Sequence, residues 1–326
     1  MSASKRDNAP VPAVASAAAC GKAIIVGEHF VVWGSTALAI PVHQARLQVD
    51  LKAHPRSRNR VILSGEQVDE HTLQAARIGN SQTLTGSRYS LRAQVSSNFP
   101  GGAGLGASAA FCVAYVRALQ QLPGLDADED HVAQAAHTME RVFHSHPSGI
   151  DSTCIAFDSP CFIKTGDSFS VAGAPTDSGP MAGFLQIAPG AVFIMADTGE
   201  RRSTRAVVDQ VARFMAQPRG EAMFGKFMDV AESIALQTAA ALRDGDFEFV
   251  GHMLRENHYL LRAMDLSTDA CEELIETAAA AGALGAKITG AGLGGFIIAL
   301  AWPDTAEEIA TALRDAGART VFVQST

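Results

Sequence analysis

Two glycine-rich segments constrain the fold of this chain more than any other feature. Residues 100–108 read Pro-Gly-Gly-Ala-Gly-Leu-Gly-Ala-Ser and run directly into the helix-forming residues 107–122. Residues 290–295 read Gly-Ala-Gly-Leu-Gly-Gly and are followed by the apolar run 296–300. Because each ordered glycine costs backbone entropy, such density is unfavourable unless a turn, a close backbone approach or a ligand requires it. The second segment fits a wide hairpin or a close approach to another loop or a ligand equally well.

Both glycine segments can be aligned with a dinucleotide-binding fingerprint, but their surroundings disagree with it. The second segment precedes a strand where the fingerprint needs a helix. About twenty residues after the first segment, where an acidic residue should end the next strand, there is the loop 123–130. Neither segment ends in the Gly-Lys-Ser/Thr of a Walker A loop. A nicotinamide-dependent dehydrogenase and a P-loop fold are therefore disfavoured.

The first glycine segment is typical of a phosphate site. A loop that opens a helix offers free backbone N–H groups and the positive end of the helix dipole, which attract phosphate. A hydroxyl in the first turn can also reach a phosphate-bound Mg²⁺. The alternative is a tight strand-to-helix turn without a ligand. We favour the phosphate site, made from Pro100, Gly101, Gly102, Ala103, Gly104, Leu105, Gly106, Ala107 and Ser108.

Apolar periodicity predicts an α+β chain of two domains in its 326 residues. The first half places strands before helices, and the second half reads as strands and helices of an antiparallel sheet with helices packed on it. We predict a flexible tail over 1–16, an N-terminal domain over 17–187 and a C-terminal domain over 188–326, with the active site in the cleft between them. Strands are expected at 23–26, 45–51, 91–95, 192–196, 286–289, 296–301 and 320–324, and helices at 107–122, 129–144 and 304–316.

Charge, cysteine usage and hydropathy exclude several classes of protein. A formal net charge of −8 lacks the basic surplus of a nucleic-acid binder. The five cysteines include no CxxC pair, so neither a zinc finger nor a disulfide framework is expected. Pro10 and Pro12 interrupt the only stretch that imitates a secretion signal, and no apolar run reaches the length of a membrane helix. We therefore expect a cytoplasmic protein that acts on a small molecule.

Four further polar residues could each have either a catalytic or metal-binding role or an ordinary structural one. Glu140 borders the apolar stripe of its helix, where a carboxylate is stable only beside a cation. That cation could be Mg²⁺ shared with Ser108, or an arginine. Asp151 lies in a turn, where an exposed aspartate is ordinary. Lys22 flanks an apolar strand, which is commonly a solvated position. His29 stands among apolar residues, where a hydrogen-bonded core histidine is more common than a catalyst.

Taken together, the motifs resemble the GHMP kinase superfamily. Residues 20–34, Cys-Gly-Lys-Ala-Ile-Ile-Val-Gly-Glu-His-Phe-Val-Val-Trp-Gly, are similar to its first motif. Residues 100–109 are similar to its phosphate-binding motif, and residues 287–295, Lys-Ile-Thr-Gly-Ala-Gly-Leu-Gly-Gly, to its third. The resemblance implies a two-domain fold with a glycine-rich phosphate loop before a helix, a ferredoxin-like C-terminal domain, and ATP and Mg²⁺ as cofactors.

Within the superfamily the chain most closely resembles the mevalonate kinases, through residues 27–34, 140–151, 197–205 and 257–261. That resemblance implies transfer of the γ-phosphate of ATP to the 5-hydroxyl of mevalonate, in isoprenoid precursor synthesis. It implies Asp151 as base or orienter of the hydroxyl and Lys22 as the group that lowers the hydroxyl pKa and neutralises charge. Ser108 and Glu140 would hold Mg²⁺. The substrate site would comprise Lys22, Glu28, His29, Asp151, Arg202, Thr204, Gly290 and Ala291.

The chain departs from the family pattern at several positions. Cys20 replaces a usual proline, Ala107 replaces the first of two serines, and Leu293 interrupts the third motif. His146 and His258 replace asparagine and glutamine, and both were expected close enough to the substrate to affect its identity.

Three other functions therefore stay open. The first is a phosphomevalonate or sugar kinase, which could use Arg201, Arg202 and Arg205 as cations. The second is a non-catalytic sensor of ATP and a small molecule. The third is a nicotinamide-dependent dehydrogenase, against which the surroundings of both glycine segments already count. The oligomeric state is also open, with a homodimer among the options, and so is feedback inhibition by isoprenoid diphosphates.

Overall fold

The computed structural model describes residues 13–55, 60–66, 68–84, 89–122, 128–144, 147–164, 181–201 and 204–326. Two sheets organise these residues. Strands between Ala13 and Phe184 form the first sheet, and strands between Val192 and Ser325 form the second. The predicted α+β class and two-domain layout are confirmed, and the change from one sheet to the other falls between Phe184 and Val192.

The first sheet is organised around its longest strand, β2. On one side, β1 pairs with β2 along most of its length in antiparallel register. On the other side, β4 and β5 pair with opposite ends of β2. The sheet is completed by β3, which pairs parallel with β4, and by β6, which pairs antiparallel with β5. The strands are β1 (Ala13–Val26), β2 (Thr36–Pro55), β3 (Arg60–Ser64), β4 (Tyr89–Ser97), β5 (Cys161–Lys164) and β6 (Met181–Phe184).

One helix of the first domain, α2, is buried on nearly every side. Its sequence is rich in alanine, which favours helix and allows close packing. It lies on β1 and β2 and contacts the three other helices of this domain. Its position fixes the glycine loop that precedes it. The helices are α1 (Glu70–Thr83), α2 (Ala107–Gln120), α3 (Glu129–Glu140) and α4 (Ile150–Phe157).

Three sequence expectations for this domain were wrong. Strand β1 begins at Ala13, so residues 13–16 pair with β2 and are not a flexible tail. The remaining residues of the predicted tail, 1–12, lie outside the described residues. Helix α1 was missed because its sequence is polar, although Asp69 and Thr72 form a capping box at its start. Helix α3 ends at Glu140, four residues before the predicted end.

The second domain has the predicted ferredoxin-like arrangement. Its four strands pair antiparallel in the order β10-β7-β9-β8, and β7 and β9 are buried throughout. The order along the chain, strand, helices, two strands, helix and strand, is a split βαβ pattern. The elements are β7 (Val192–Asp197), α5 (Thr204–Met215), α6 (Gly220–Asp244), α7 (Phe247–Ala263), α8 (Asp269–Ala280), β8 (Gly285–Ile288), β9 (Phe296–Ala301), α9 (Ala306–Asp315) and β10 (Val321–Ser325).

The two glycine segments meet across the domains, backbone against backbone. The amide of Phe296 donates to the carbonyl of Ala103 at 3.0 Å. A Cβ added to Gly290 would lie 2.6 Å from the Cα of Gly104, and one added to Gly104 would lie 2.7 Å from the carbonyl oxygen of Thr289. Both glycines also have positive φ, +82° and +93°. Close backbone approach therefore explains the second segment.

Within the described parts of the chain, no helix combines the length and the apolarity needed to cross a bilayer. The cytoplasmic location and the oligomeric state stay predictions.

The contact between the loops predicts that alanine destabilises the protein to different extents at Gly290 and Gly102, two glycines with positive φ. We expect Gly290→Ala to lower the free energy of unfolding by roughly 1–3 kcal/mol more than Gly102→Ala. Both positions have positive φ, but an added Cβ at Gly102 meets no atom within 4 Å. Urea unfolding of both variants measures the difference. Equal losses would mean that backbone strain alone, and not the loop contact, requires Gly290.

Candidate active site

A cavity of about 430 Å³ lies where the two glycine loops meet the connection between α3 and α4. Both domains contribute to its wall. Most of the predicted phosphate loop faces it, whereas Leu105 is buried in the core and Pro100 does not line it. The lining residues are Lys22, Leu47, Asp69, Thr72, Val95, Gly101, Gly102, Ala103, Gly104, Gly106, Ala107, Ser108, Phe111, Phe143, His144, Asp151, Gly290, Ala291, Gly292 and Gly294.

The start of helix α2 points into this cavity. Gly106 is its N-cap, with a left-handed backbone, and brings no side-chain oxygen to the first N–H groups of the helix. Ala107 and Ser108, the first helical residues, line the cavity. Free N–H groups and the positive helix end are therefore directed at whatever occupies it. The geometry is that of an anion site.

Lys22 and Asp151 form an ion pair on the cavity wall. Lys22 Nζ lies 3.1 Å from Asp151 Oδ1 and 3.3 Å from the carbonyl oxygen of Gly104, to which it donates. The lysine is only 3% exposed, so the solvated-end alternative is wrong. Asp151 lies in the first turn of α4, 22% exposed. The pair places a positive charge and a carboxylate next to the phosphate loop.

Glu140 is a buried carboxylate with an unsatisfied oxygen. It is 1% exposed at the end of α3, and its Oε2 has no hydrogen-bond partner among the described residues. Burial, together with the negative charge of Asp151, raises the pKa of Glu140 to about 8. A buried carboxylate in this state gains strongly from a nearby cation.

The residues present fit Mg²⁺. Glu140 ends α3, which packs against α2, and its charge contributes, after burial, to the raised pKa of the Cys112 thiol on α2. Ser108 lies one helical turn before Cys112, on the same face of α2. A hydroxyl and a carboxylate are hard oxygen donors of the kind Mg²⁺ takes. Among the described residues there is no cluster of three or more His, Cys, Asp or Glu that could hold a metal ion without further ligands.

Glu28 and His29, predicted to bind substrate, do not line the cavity. His29 donates from Nε2 to the carbonyl of Ala291 at 2.7 Å, and burial lowers the pKa of its ring to about 4. Glu28 lies deeper, ion-paired with Lys287 and accepting from Asn257 Nδ2 at 3.2 Å. His29 thus contacts the cavity wall at Ala291, whereas Glu28 is bonded to Lys287 and Asn257 of the second domain.

The loop after β7 is fixed by its own side chains. Arg201 makes two hydrogen bonds with the buried carboxylate of Asp197, at 2.8 and 2.7 Å, and Asp197 also accepts from the amide of Gly199 at 2.9 Å. Arg201 is therefore committed to Asp197. Arg202 lies outside the described residues, and so does the side chain of Thr204, the first residue of α5.

The structure describes only one of the two histidines that depart from the family pattern, His146 and His258. His258 is not among the residues that line the cavity, and its place relative to the substrate stays a prediction. Its Nε2 lies 3.0 Å from Glu272 Oε1, between α7 and α8. His146 lies outside the described residues.

Sequence reasoning missed one end of the cavity. Leu47, Val95 and Phe111 supply an apolar wall there, with Asp69 and Thr72 at the start of α1. The alternation along β2 and β4 already placed Leu47 and Val95 on the buried face. The alternation alone does not show that β2 and β4 pair with each other and that this part of the sheet lies next to α2. His144 and Phe143, in the connection after α3, were missed as well.

Comparison with known proteins identifies the family of the chain. The family model described as "GHMP kinases N terminal domain" matches residues 71–159, and "GHMP kinases C terminal" matches residues 238–319. The mevalonate kinase of Aeropyrum pernix is 32% identical over 88% of both chains. That of Pyrococcus horikoshii is 31% identical over 92% of both.

Solved structures share the fold. The mevalonate kinase of L. major, solved with R-mevalonate, superposes with a TM-score of 0.80 at 24% identity, covering 97% of this chain and 96% of that one. The phosphomevalonate kinase of Streptococcus pneumoniae superposes with a TM-score of 0.76 at 17% identity, covering 96% of this chain and 99% of that one. The fold thus extends over enzymes with different acceptors.

The raised pKa of Glu140 predicts a pH dependence of stability in the metal-free protein. Between pH 5 and 8 the native state keeps a proton that the unfolded chain has released, so stability falls as pH rises. For one proton the slope is at most about 1.4 kcal/mol per pH unit. Urea unfolding across this range should show that slope in the wild type and its reduction in Glu140→Gln. The exposed Glu307→Gln is the control, and a Glu140→Gln curve parallel to the wild type would contradict the assignment.

Proposed function

This chain belongs to the GHMP kinase family, and we propose that it transfers the γ-phosphate of ATP to the 5-hydroxyl of mevalonate. The observation that carries the proposal is the Lys22–Asp151 pair, 3.1 Å apart, on the wall of a cavity that the glycine loop and the start of α2 also line. The curated relatives that it matches over most of its length are mevalonate kinases.

Asp151 would act on the acceptor hydroxyl. Its carboxylate orients that hydroxyl and takes its proton as the new O–P bond forms. Phosphoryl transfer has a loose transition state, so positioning and neutralisation of charge supply most of the catalysis. Lys22, held by Asp151 and Gly104, adds a positive charge at this place and favours the ionised form of the hydroxyl.

The first glycine loop would hold the phosphates of ATP. Its backbone N–H groups and the uncapped start of α2 provide donors without a bulky side chain. Ser108 and Glu140 would hold Mg²⁺. When bound, that ion neutralises phosphate charge and supplies the cation that the buried carboxylate of Glu140 lacks.

The charges of the site favour an acceptor without a phosphate group. Lys22 is the only lysine or arginine among the described residues that line the cavity, and Asp151 pairs with it. Arg201, a candidate cation for a phosphorylated acceptor, is committed to Asp197. Phosphomevalonate is therefore a weaker candidate than mevalonate. The carboxylate of mevalonate would be bound by Arg202, as the family resemblance implies.

A non-catalytic sensor is less consistent with the site. Binding alone would not require an aspartate and a buried lysine held together beside the phosphate loop, because that arrangement serves transfer to a hydroxyl. Lys22, Ser108, Glu140 and Asp151 are all present in one region of the fold. A sugar kinase stays an alternative, since the fold is shared with a galactokinase at a TM-score of 0.68.

The proposal predicts acceptor-dependent ATP turnover that depends on Asp151. We expect ADP release with mevalonate, and little with phosphomevalonate or a panel of sugars. Asp151→Asn should lower kcat by roughly 10²–10⁴-fold, because the amide takes no proton and leaves Lys22 unpaired. A coupled assay of ADP release measures both.

The matched control is Asp158→Asn, at the exposed end of the same helix. Its left-handed backbone suits asparagine, so its kcat should stay at the wild-type value. Turnover with another acceptor alone would refute mevalonate as substrate. ATP binding without turnover on any acceptor would favour the sensor.

A further inference from the structure

A buried ion pair joins the two domains behind the cavity. Lys287 on β8 pairs with Glu28, which follows β1, and the two side chains are 0% and 2% exposed. Lys287 also donates to the carbonyl of Ile288 at 2.6 Å. Asn257 on α7, fully buried, donates to the other oxygen of Glu28 at 3.2 Å. Both oxygens of Glu28 therefore have a partner from the second domain.

Burial opposes both charges of this pair. It raises the pKa of Glu28 and lowers the pKa of Lys287. Replacing such a pair with apolar side chains of similar volume is often neutral or stabilising. Stability alone therefore gives no reason for a lysine and a glutamate here, and a role in placing neighbouring groups has to be considered.

The pair is connected to the cavity wall in two steps. Asn257 Oδ1 accepts from the amide of Gly27 at 3.0 Å, so both the backbone before Glu28 and its side chain are held. The next residue, His29, has φ +66° and ψ −48°, a combination outside the left-handed helical region in which histidine is tolerated. Its ring nevertheless meets the carbonyl of Ala291, a residue of the cavity wall.

We propose that Lys287 is a positioning residue for the acceptor side of the reaction. By fixing Glu28, it holds the strained backbone of His29 and, through the His29–Ala291 hydrogen bond, the wall formed by the second glycine loop. The first glycine loop, which carries the phosphate site, touches the second loop but also has a support of its own in the first domain, because its Leu105 carbonyl accepts from the amide of Lys22 at 3.0 Å. This inference rests on the proposed function.

The distinguishing readout is the KM for each substrate. In Lys287→Met, we expect the KM for the acceptor to rise roughly tenfold or more and the KM for ATP to stay within about twofold of the wild type. The control is Lys164→Met. It breaks another lysine–glutamate contact between the domains, Lys164 to Glu232 at 2.8 Å, but on the protein surface. Its kinetic constants should equal those of the wild type.

A double variant separates positioning from folding. Lys287→Met leaves Glu28 as an unpaired buried charge, which is expected to lower the melting temperature. Adding Glu28→Gln removes that charge and should restore the melting temperature. If Lys287 positions the wall through Glu28, the acceptor KM stays raised in the double variant; if the pair is only structural, both values recover together.

Recovery of both the melting temperature and the acceptor KM in the double variant would overturn the proposal. So would an equal rise in the KM for the acceptor and the KM for ATP, or unchanged kinetics, in Lys287→Met. So would failure of both the single and the double variant to fold, since the pair would then be a folding requirement. The wild type is assayed first with mevalonate and the acceptor panel. Absence of mevalonate turnover there counts against the proposed function, and the variants are then measured with the acceptor that the wild type uses.

Discussion

The cleft of this protein depends on backbone contact between two glycine loops from different domains. Gly104 and Gly290 approach so closely that neither position has room for a Cβ. Thr289, beside the contact, accepts from the amide of Ile24 and donates to its carbonyl, both at 2.9 Å, so the second domain bonds directly to strand β1. Since Lys22 lies on that same strand, the contact that closes the domains also sets the place of the ion pair.

The electrostatics of the site follow from two carboxyl groups that share one buried lysine. Asp151 has Lys22 as its partner, whereas Glu140 lies close enough to Asp151 to be affected by its charge and retains an unsatisfied oxygen. A low-polarity interior makes this arrangement costly until a cation arrives. In the proposed function, a bound Mg²⁺ would favour the ionised form of Glu140, which burial and the charge of Asp151 oppose in the metal-free protein.

Much of the fold and part of the site could be predicted from sequence, for physical reasons that differ between residues. Alternation along β2 and β4 and the glycine loop before α2 are local signals, and the structure shows the elements that they predict. Strand β1 from Ala13 and helix α1 were missed because alanine-rich and polar sequences favour these elements only once partners are present. The position of Glu28 depends on Asn257, more than two hundred residues away along the chain, and that of His258 depends on Glu272, fourteen residues away on the next helix. A local sequence pattern contains no information about such contacts.

The backbone nature of the contact between the domains has a consequence for how such a chain diverges. Once glycine stands at the contact positions, hydrogen bonds such as Phe296 to Ala103 use backbone groups only, so they do not depend on the side chains elsewhere around the cleft. Side chains around the acceptor can then change by substitution without loosening the closure of the cleft. A scaffold of this kind can acquire a new acceptor by gradual sequence drift while its phosphate chemistry stays in place.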